Sequence, residues 1–375
     1  MTQPVPFVDL VRMHEPLAER FRRAFDQVLQ SGQFHLGPRT RAFEQAFAEH
    51  EGSRFGVGCG SGSDALVLAL RALDVGPGDA VVTVSNSFMA TAESIRRVGA
   101  DVVFAEPDPG TRCLDPIDLD RILGEPGAER IRAVIPVHLY GHRADTDGIN
   151  TVLQGADRAD VHVIGDAAQA HGSPGVAGET TLTCYSFYPA KNLGALGDAG
   201  MVLSQDEALC ERLRGLRNHG RSGKHAVAEL GYNSRFDELA AAMLHIKLDV
   251  LRQWNEQRRF AADAYRALLN DVPGVELPAD DPGHVYHLFV VEVDPTIRDA
   301  VVAGLKARGV GVGLHYPVAT HQMAPYPSNR PLPITERLVS SVLSLPMFPG
   351  ITPLELERTA HALRESLLAA HEEPR

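Results

Sequence analysis

Ala133-Val134-Ile135-Pro136-Val137-His138, a helical pattern over 146–153, and Val161-His162-Val163-Ile164-Gly165 read in turn as strand, helix and strand. Two short apolar runs joined by a helix make a β-α-β unit, and such a crossover leaves its strands parallel. The same alternation continues on both sides. Ala80–Ser85, Asp101–Ala105, Leu182–Phe187 and Gly200–Ser204 are strand-like, and helices fit over 64–73, 89–98, 116–123 and 206–216. Repeated alternation of this kind predicts an α/β domain, three layers deep, on a mostly parallel sheet. Before it lies a helical lead-in, where Leu17, Phe21, Phe25 and Leu29 recur at helical spacing. After it comes a long helical stretch over about 236–270, with a break expected near Trp254. Beyond Val272-Pro273-Gly274 the composition changes. A strand at Tyr286–Val293, a helix at 296–308, a strand at 310–314 and a helix at 353–370 predict a smaller α+β unit. The expected domains are 1–250 and 251–375.

The bulk properties narrow the function classes. Across 375 residues, Lys and Arg number 36 and Asp and Glu 48, a net charge of −12. Such an acidic balance argues against nucleic-acid binding and against a polybasic membrane surface. No apolar run reaches the roughly 18 residues of a spanning helix. The start, Met1-Thr2-Gln3-Pro4-Val5-Pro6-Phe7, has no basic stretch leading into an apolar one, so no signal peptide is expected. Cys59, Cys113, Cys184 and Cys210 are scattered, with no C-x-x-C pair, and none of the 16 histidines sits in H-E-x-x-H. This spacing predicts neither a metal site nor a disulfide framework, and it fits a reducing cytoplasm.

Three stretches carry chemistry. Gly58-Cys59-Gly60-Ser61-Gly62-Ser63-Asp64 opens a helix, with Ser63 placed as its N-cap. Small residues there let backbone amides approach an anion, and a helix start adds free donors and a favourable dipole. The stretch is either a phosphate cradle or a plain turn and cap. The dinucleotide fingerprint fails, because Ser63 stands where a third glycine belongs, and no P-loop Lys follows. Next, Val163-Ile164-Gly165-Asp166-Ala167-Ala168-Gln169 ends a strand in Asp166, at the edge where open α/β sheets bind ligands. Asp166 can pair with a protonated heterocycle nitrogen, hold a metal, or simply cap the following turn. Finally, Ser186-Phe187-Tyr188-Pro189-Ala190-Lys191-Asn192-Leu193-Gly194 sets a lone lysine among aromatic residues and glycines just past a strand. In an apolar pocket its ammonium is disfavoured, and the neutral amine is a Schiff-base nucleophile; elsewhere it would be a surface lysine with a snorkelling stem. A phosphate cradle, a strand-end Asp and a lysine are the three handles that pyridoxal phosphate requires.

With these residues in place, the sequence resembles the DegT/DnrJ/StrS sugar aminotransferases, of the fold-type I pyridoxal-phosphate superfamily. The resemblance runs nearly end to end. It covers Pro6–Leu10, Gly37-Pro38, Gly60–Leu66, Ser87-Phe88, Gly165–Gly172, Ser186–Gly200, Arg217–Gly220, Gly231–Arg235 and His315-Tyr316-Pro317. The family usually has an acidic residue before the strand-end Asp, where this chain has Gly165. The resemblance implies the fold-type I architecture and a role for each matching residue. Lys191 would form the Schiff base and shuttle the proton, Asp166 would hold the pyridine nitrogen, and Phe88 would stack on the ring. Gln169 would lie near the ring hydroxyl, and Gly62, Ser63 and Ser186 would hold the phosphate. Asn233 would reach the phosphate from the neighbouring subunit, implying a homodimer with shared sites. Tyr188, His315 and Tyr316 would line the sugar and catalytic pocket, with Tyr188 a catalytic residue that orients either Lys191 or the sugar.

The implied reaction is amination of a nucleotide-linked keto sugar, with thymidine diphosphate as nucleotide and L-glutamate as donor. Tyr188 points to the enzymes acting at C3 of 3-keto-6-deoxyhexoses, since those acting at C4 more often carry His there. The alternatives are a C4 aminotransferase and a regulatory or sugar-binding homologue that keeps only the fold. A sugar dehydratase of the same fold would replace Lys191 with His.

Overall fold

A computed structural model describes residues 3–372. Seven strands form the main sheet: β1 Phe55–Cys59, β2 Ala80–Val84, β3 Asp101–Ala105, β4 Ile131–Ile135, β5 His162–Asp166, β6 Leu182–Ser186 and β7 Gly200–Ser204. Their order is β1-β7-β6-β5-β4-β2-β3, and β7 alone runs against its neighbours β1 and β6. All the other strands therefore present their carboxyl ends on one edge.

Alternate residues of each strand feed opposite cores, as the period-two pleat requires. Val81 of β2, Ile135 of β4 and Val202 of β7 face the core built with helices Gly62–Ala72 and Glu207–Leu216. Val82 and Val134 face a core with helices Pro116–Leu123 and Thr146–Gly155. Met201 and Leu203 face helix Pro38–His50 and the first half of Glu238–Leu269. Both faces are covered, so these strands are apolar throughout instead of alternating.

A second, two-stranded sheet pairs β8 Phe289–Glu292 with β9 Val342–Leu345, antiparallel. Helices Arg298–Ala307 and Pro353–Glu372 pack on it, together with the last turns of Glu238–Leu269. That long helix is unbroken at Trp254, which is buried against Met13 and Phe21 with no proline or glycine to interrupt the ladder. The expected strand at 310–314 does not form. Val310 bridges Val5 and Gly313 bridges Ser344, each as a single pair. Glycines at 309, 311 and 313 weaken a ladder there.

Candidate active site

Helix Gly62–Ala72 begins two residues earlier than Ser63 as cap would require. Its N-cap is Ser61, whose Oγ accepts from the Asp64 amide at 3.1 Å. Ser63 is instead inside the first turn. The amides of Gly62 and Ser63 are thereby left facing outward with no intrahelical acceptor. The cradle is tight: a Cβ on Gly62 would lie 2.5 Å from the Ser186 Cβ, and one on Gly200 would lie 2.2 Å from the Ser61 carbonyl. Only glycine lets β6, β7 and this helix start meet so closely.

Asp166 closes β5, buried at 5% exposure. The Thr91 hydroxyl donates to its Oδ2 at 2.8 Å, and the Ala168 amide donates to Oδ1 at 3.2 Å. Burial raises its pKa, opposed by those two hydrogen bonds and by Lys191. Lys191 is on the loop after β6, where its amide donates to the Tyr188 carbonyl at 2.9 Å. Burial draws its ammonium down to about 8, with Asp166 pulling the other way. Among the described residues its Nζ has no hydrogen bond or ion pair. The next residue, Asn192, is fully buried and ties the loop to the rest of the molecule. Its Nδ2 donates to Asn255 Oδ1 at 2.9 Å and to the Val285 carbonyl at 3.0 Å, and its Oδ1 pairs with His287 Nδ1 at 3.1 Å.

The other wall comes from the smaller unit. Tyr316 OH accepts from Gln169 Nε2 at 3.1 Å, and Gln169 Oε1 accepts from the Tyr140 amide at 2.6 Å. The Tyr140 hydroxyl donates to the His315 carbonyl, and His315 Nδ1 pairs with Ser344 Oγ at 2.8 Å. Phe88, half exposed, has its ring centroid 5.8 Å from that of Tyr316.

These groups line a single cavity of about 610 Å³ at the carboxyl edge of the sheet. Gly62, Ser63, Phe88, Asp166, Gln169, Ser186, Tyr188, Lys191, His315 and Tyr316 all border it, joined by Phe7, Val8, Thr91 and His287. Asn233 does not. It is exposed, on a segment anchored by Ser234, whose Oγ donates to Asp64 Oδ2 at 2.7 Å and accepts from the Gly60 amide at 2.9 Å. The sequence reading passed over Thr91, Tyr140 and Asn192. Thr91 could have been found from Ser87-Phe88, which lie just ahead of it; Tyr140 and Asn192 act through partners far away in the chain.

The donor set fits pyridoxal phosphate. It offers free helix-start amides beside two serines, a buried carboxylate, and an unpartnered amine in one enclosed space. No group of three or more His, Cys, Asp or Glu gathers for a metal among the described residues, and no helix there is long and apolar enough to cross a membrane.

Residues 16–364 match the model of the DegT/DnrJ/EryC1/StrS aminotransferase family. The chain belongs to that family. One family relative is dTDP-3-amino-3,4,6-trideoxy-alpha-D-glucose transaminase of Streptomyces venezuelae, 40% identical over 97% of this chain and 96% of its own length. UDP-N-acetyl-3-dehydro-alpha-D-glucosamine 3-aminotransferase of Acidithiobacillus ferrooxidans is 39% identical, over 98% and 100%. A third relative, 40% identical over 92% and 94%, carries the name pleiotropic regulatory protein in Geobacillus stearothermophilus. Among solved structures, S. venezuelae DesV in complex with a ketimine intermediate superposes with a TM-score of 0.92 at 39% identity, covering all of both chains.

Proposed function

We propose that this aminotransferase uses pyridoxal phosphate to move the amino group of L-glutamate onto C3 of a nucleotide-linked 3-keto-6-deoxy sugar, with thymidine diphosphate as the nucleotide. The observation that carries this reading is the meeting of Lys191, Asp166 and the Gly62–Ser63 helix start in one cavity. The two relatives with transaminase names act at C3 although their nucleotides differ, which supports C3 over C4.

Pyridoxal phosphate, when bound, supplies an aldehyde to carry the amino group and a ring to accept the electrons left by a departing proton. The protein's part follows from its residues. The amides of Gly62 and Ser63, with the Ser186 hydroxyl, hold the phosphate. Asp166 holds a proton on the ring nitrogen, and that positive partner reverses the effect of burial on its carboxylate. Thr91 and the Ala168 amide fix the carboxylate's direction. Gln169, itself fixed by Tyr140, would lie at the ring's hydroxyl edge. Lys191, as a free amine, would take the proton from the donor's α-carbon. It would repeat this in reverse for the keto sugar. Phe88 covers the ring, while Tyr188, His315 and Tyr316 face the sugar.

The test is a panel of 3-keto and 4-keto nucleotide sugars incubated with glutamate, with NMR locating the new amine. Nitrogen at C3 is expected; nitrogen at C4 would reject the regiochemistry and leave the cofactor reading intact. The regulatory name of one relative favours a second reading, a sugar-binding regulator. A regulator would bind a keto sugar yet leave the yellow cofactor unbleached by glutamate.

We further propose a homodimer in which Asn233 reaches the partner subunit's phosphate. Its exposure away from its own cavity supports this, as do exposed Phe25, Leu29, Phe34 and Leu230. Lys191→Ala and Asn233→Asp should then rescue each other in mixed dimers. Random assortment gives about half mixed dimers with one good site each, so about a quarter of all sites regain activity. No recovery in demonstrated heterodimers would place Asn233 in its own subunit's site or outside any site.

A further inference from the structure

A second lysine is buried close to the Lys191 loop, outside the cavity. Lys247 lies in the third turn of helix Glu238–Leu269 and is 1% exposed. No carboxylate pairs with it among the described residues. Its Nζ is 2.7 Å from His14 Nε2 and 2.5 Å from the Gly194 carbonyl, with the Phe21 ring centroid 5.8 Å away. Burial draws Lys247 down to about 8, and burial with the neighbouring Lys247 charge draws His14 down to about 4. Near neutral pH the lysine thus keeps its proton and the imidazole has none. Lys247 donates to both partners, and Nε2 accepts.

The two acceptors lie behind different walls of the cavity. Gly194 follows Lys191 by three residues in a loop that closes on itself. The Ala195 amide donates to the Phe187 carbonyl at 2.7 Å, and a Cβ on Gly194 would lie 2.3 Å from the Pro189 carbonyl. His14 ends the short helix Leu10–His14, directly after Phe7 and Val8, which border the cavity. Asn255, two helical turns beyond Lys247, grips the same loop through Asn192. Helix Glu238–Leu269 therefore holds the loop at two points, one uncharged and one charged.

A bare buried cation is strongly destabilising unless its hydrogen bonds are well made. A methionine would fill the space more cheaply, so packing does not account for the lysine. We propose that Lys247 is a positioning residue for transamination, its ammonium joining the Lys191 loop to the N-terminal wall so that both keep one geometry. This rests on the assignment of Lys191 as the reacting amine.

The experiment compares Lys247→Met, His14→Leu and His14→Gln in the full-length protein, by steady-state kinetics and amide hydrogen exchange. Gln offers Lys247 an acceptor in place of Nε2; Leu does not. Misplacing a reacting group by a fraction of an ångström to an ångström should lower kcat by about 10- to 100-fold, with KM for glutamate little changed. Local release should speed exchange at the Lys191, Ala195 and Met13 amides by about tenfold, leaving the β2 and β4 amides as they were. Lys247→Met and His14→Leu should both do this, the double variant should be no worse than either, and His14→Gln should behave as wild type. Wild-type kcat in Lys247→Met overturns the proposal. So does exchange that rises equally throughout the sheet, which would mark a purely structural residue. If Lys247→Met fails to fold, indistinguishable His14→Leu and His14→Gln variants overturn it. The exchange result does not depend on what Lys191 does, so retained turnover in Lys191→Ala would sink the catalytic reading separately.

Discussion

Lys191 and Lys247 lie on two sides of one loop, and burial draws the ammonium of each down to about 8. Their surroundings differ. Lys247 gives hydrogen bonds to His14 and Gly194 inside a packed contact between a helix and the lead-in. Lys191 borders a cavity of about 610 Å³ and, among the described residues, gives only its backbone amide's hydrogen bond, to the loop itself. A lowered pKa makes a free amine available in both places. Only the region with space in front of the nitrogen and no competing acceptor can use that amine on a carbonyl compound. The comparison separates two things often read as one: desolvation sets how easily a lysine loses its proton, and access sets whether anything follows.

Removing each amine gives the largest contrast. Lys191→Ala should lower transamination by about four orders of magnitude, since nucleophile and proton carrier vanish together. The yellow absorbance should go with it, while far-UV circular dichroism stays unchanged. The loss should far exceed that of Lys247→Met. A Lys191→Ala protein that turns over normally would erase the distinction between the two lysines.

Labelling sharpens the same contrast without any turnover. In protein stripped of cofactor, a small aldehyde with cyanoborohydride traps whichever lysine is both neutral and reachable. At pH 8 about half of Lys191 is neutral, against under about 1% of an ordinary exposed lysine, so Lys191 should label on the order of 100-fold faster. Lys247 is equally ready to lose its proton but closed off, and it should stay unlabelled while the fold is intact. Peptide mapping reads the outcome directly. Equal labelling of the two lysines would mean that access does not separate them.

How much of this was legible in the sequence depends on whether a feature is local. The β-α-β alternation placed β2, β3, β5, β6 and β7 to within a residue, because strands buried on both faces are continuous apolar runs. β4 runs Ile131–Ile135 where Ala133–His138 was expected, for Pro136 has no amide to give to a ladder. β1 and β9 were missed: Phe55-Gly56-Val57-Gly58-Cys59 is half glycine-spaced, and Val342–Leu345 follows a helix with no turn signal between. Asp166 and Lys191 stood out because each sits in a motif at a strand end, and the resemblance added Gln169 and Ser186 from the same two motifs; all four border one cavity. The helix cap was misplaced by two residues, since Ser61 and Ser63 both suit the role and only the chain's direction at Gly62 chooses. Tyr140 and Asn192 gave no signal, and Thr91 only its nearness to Ser87-Phe88. Their meaning lies in hydrogen bonds to Asp166, Gln169, His315, Asn255 and His287, which are brought to them by tertiary packing alone. Lys247 is the extreme case, a charged residue in an amphipathic helix pattern that reads as solvent-facing until its two acceptors are in view.

The smallest expected effect is also the most discriminating between the two lysines. Asp166 acts on Lys191 through its charge, holding the ammonium higher than burial alone would leave it. The coupling is mutual, for Lys191 draws the Asp166 carboxyl down against the effect of burial. Asp166→Asn keeps the side chain's size and can still accept from Thr91, so it removes charge with little loss of shape. The midpoint for aldehyde trapping of Lys191 in cofactor-free protein should then move below about 8, because the charged form has lost its stabilising partner. At any pH below that midpoint more of the amine is neutral and trapping is faster. Added salt should shrink the shift only slightly, since a buried pair is poorly screened. Burial alone lowers the Lys247 pKa, with no part for Asp166. A titration of Lys247, followed by its side-chain nitrogen in NMR, should therefore be the same in the variant and the wild type. An upward or absent shift at Lys191 would mean that the two groups do not share one field, and the cavity would lose the electrostatic link between its carboxylate and its amine.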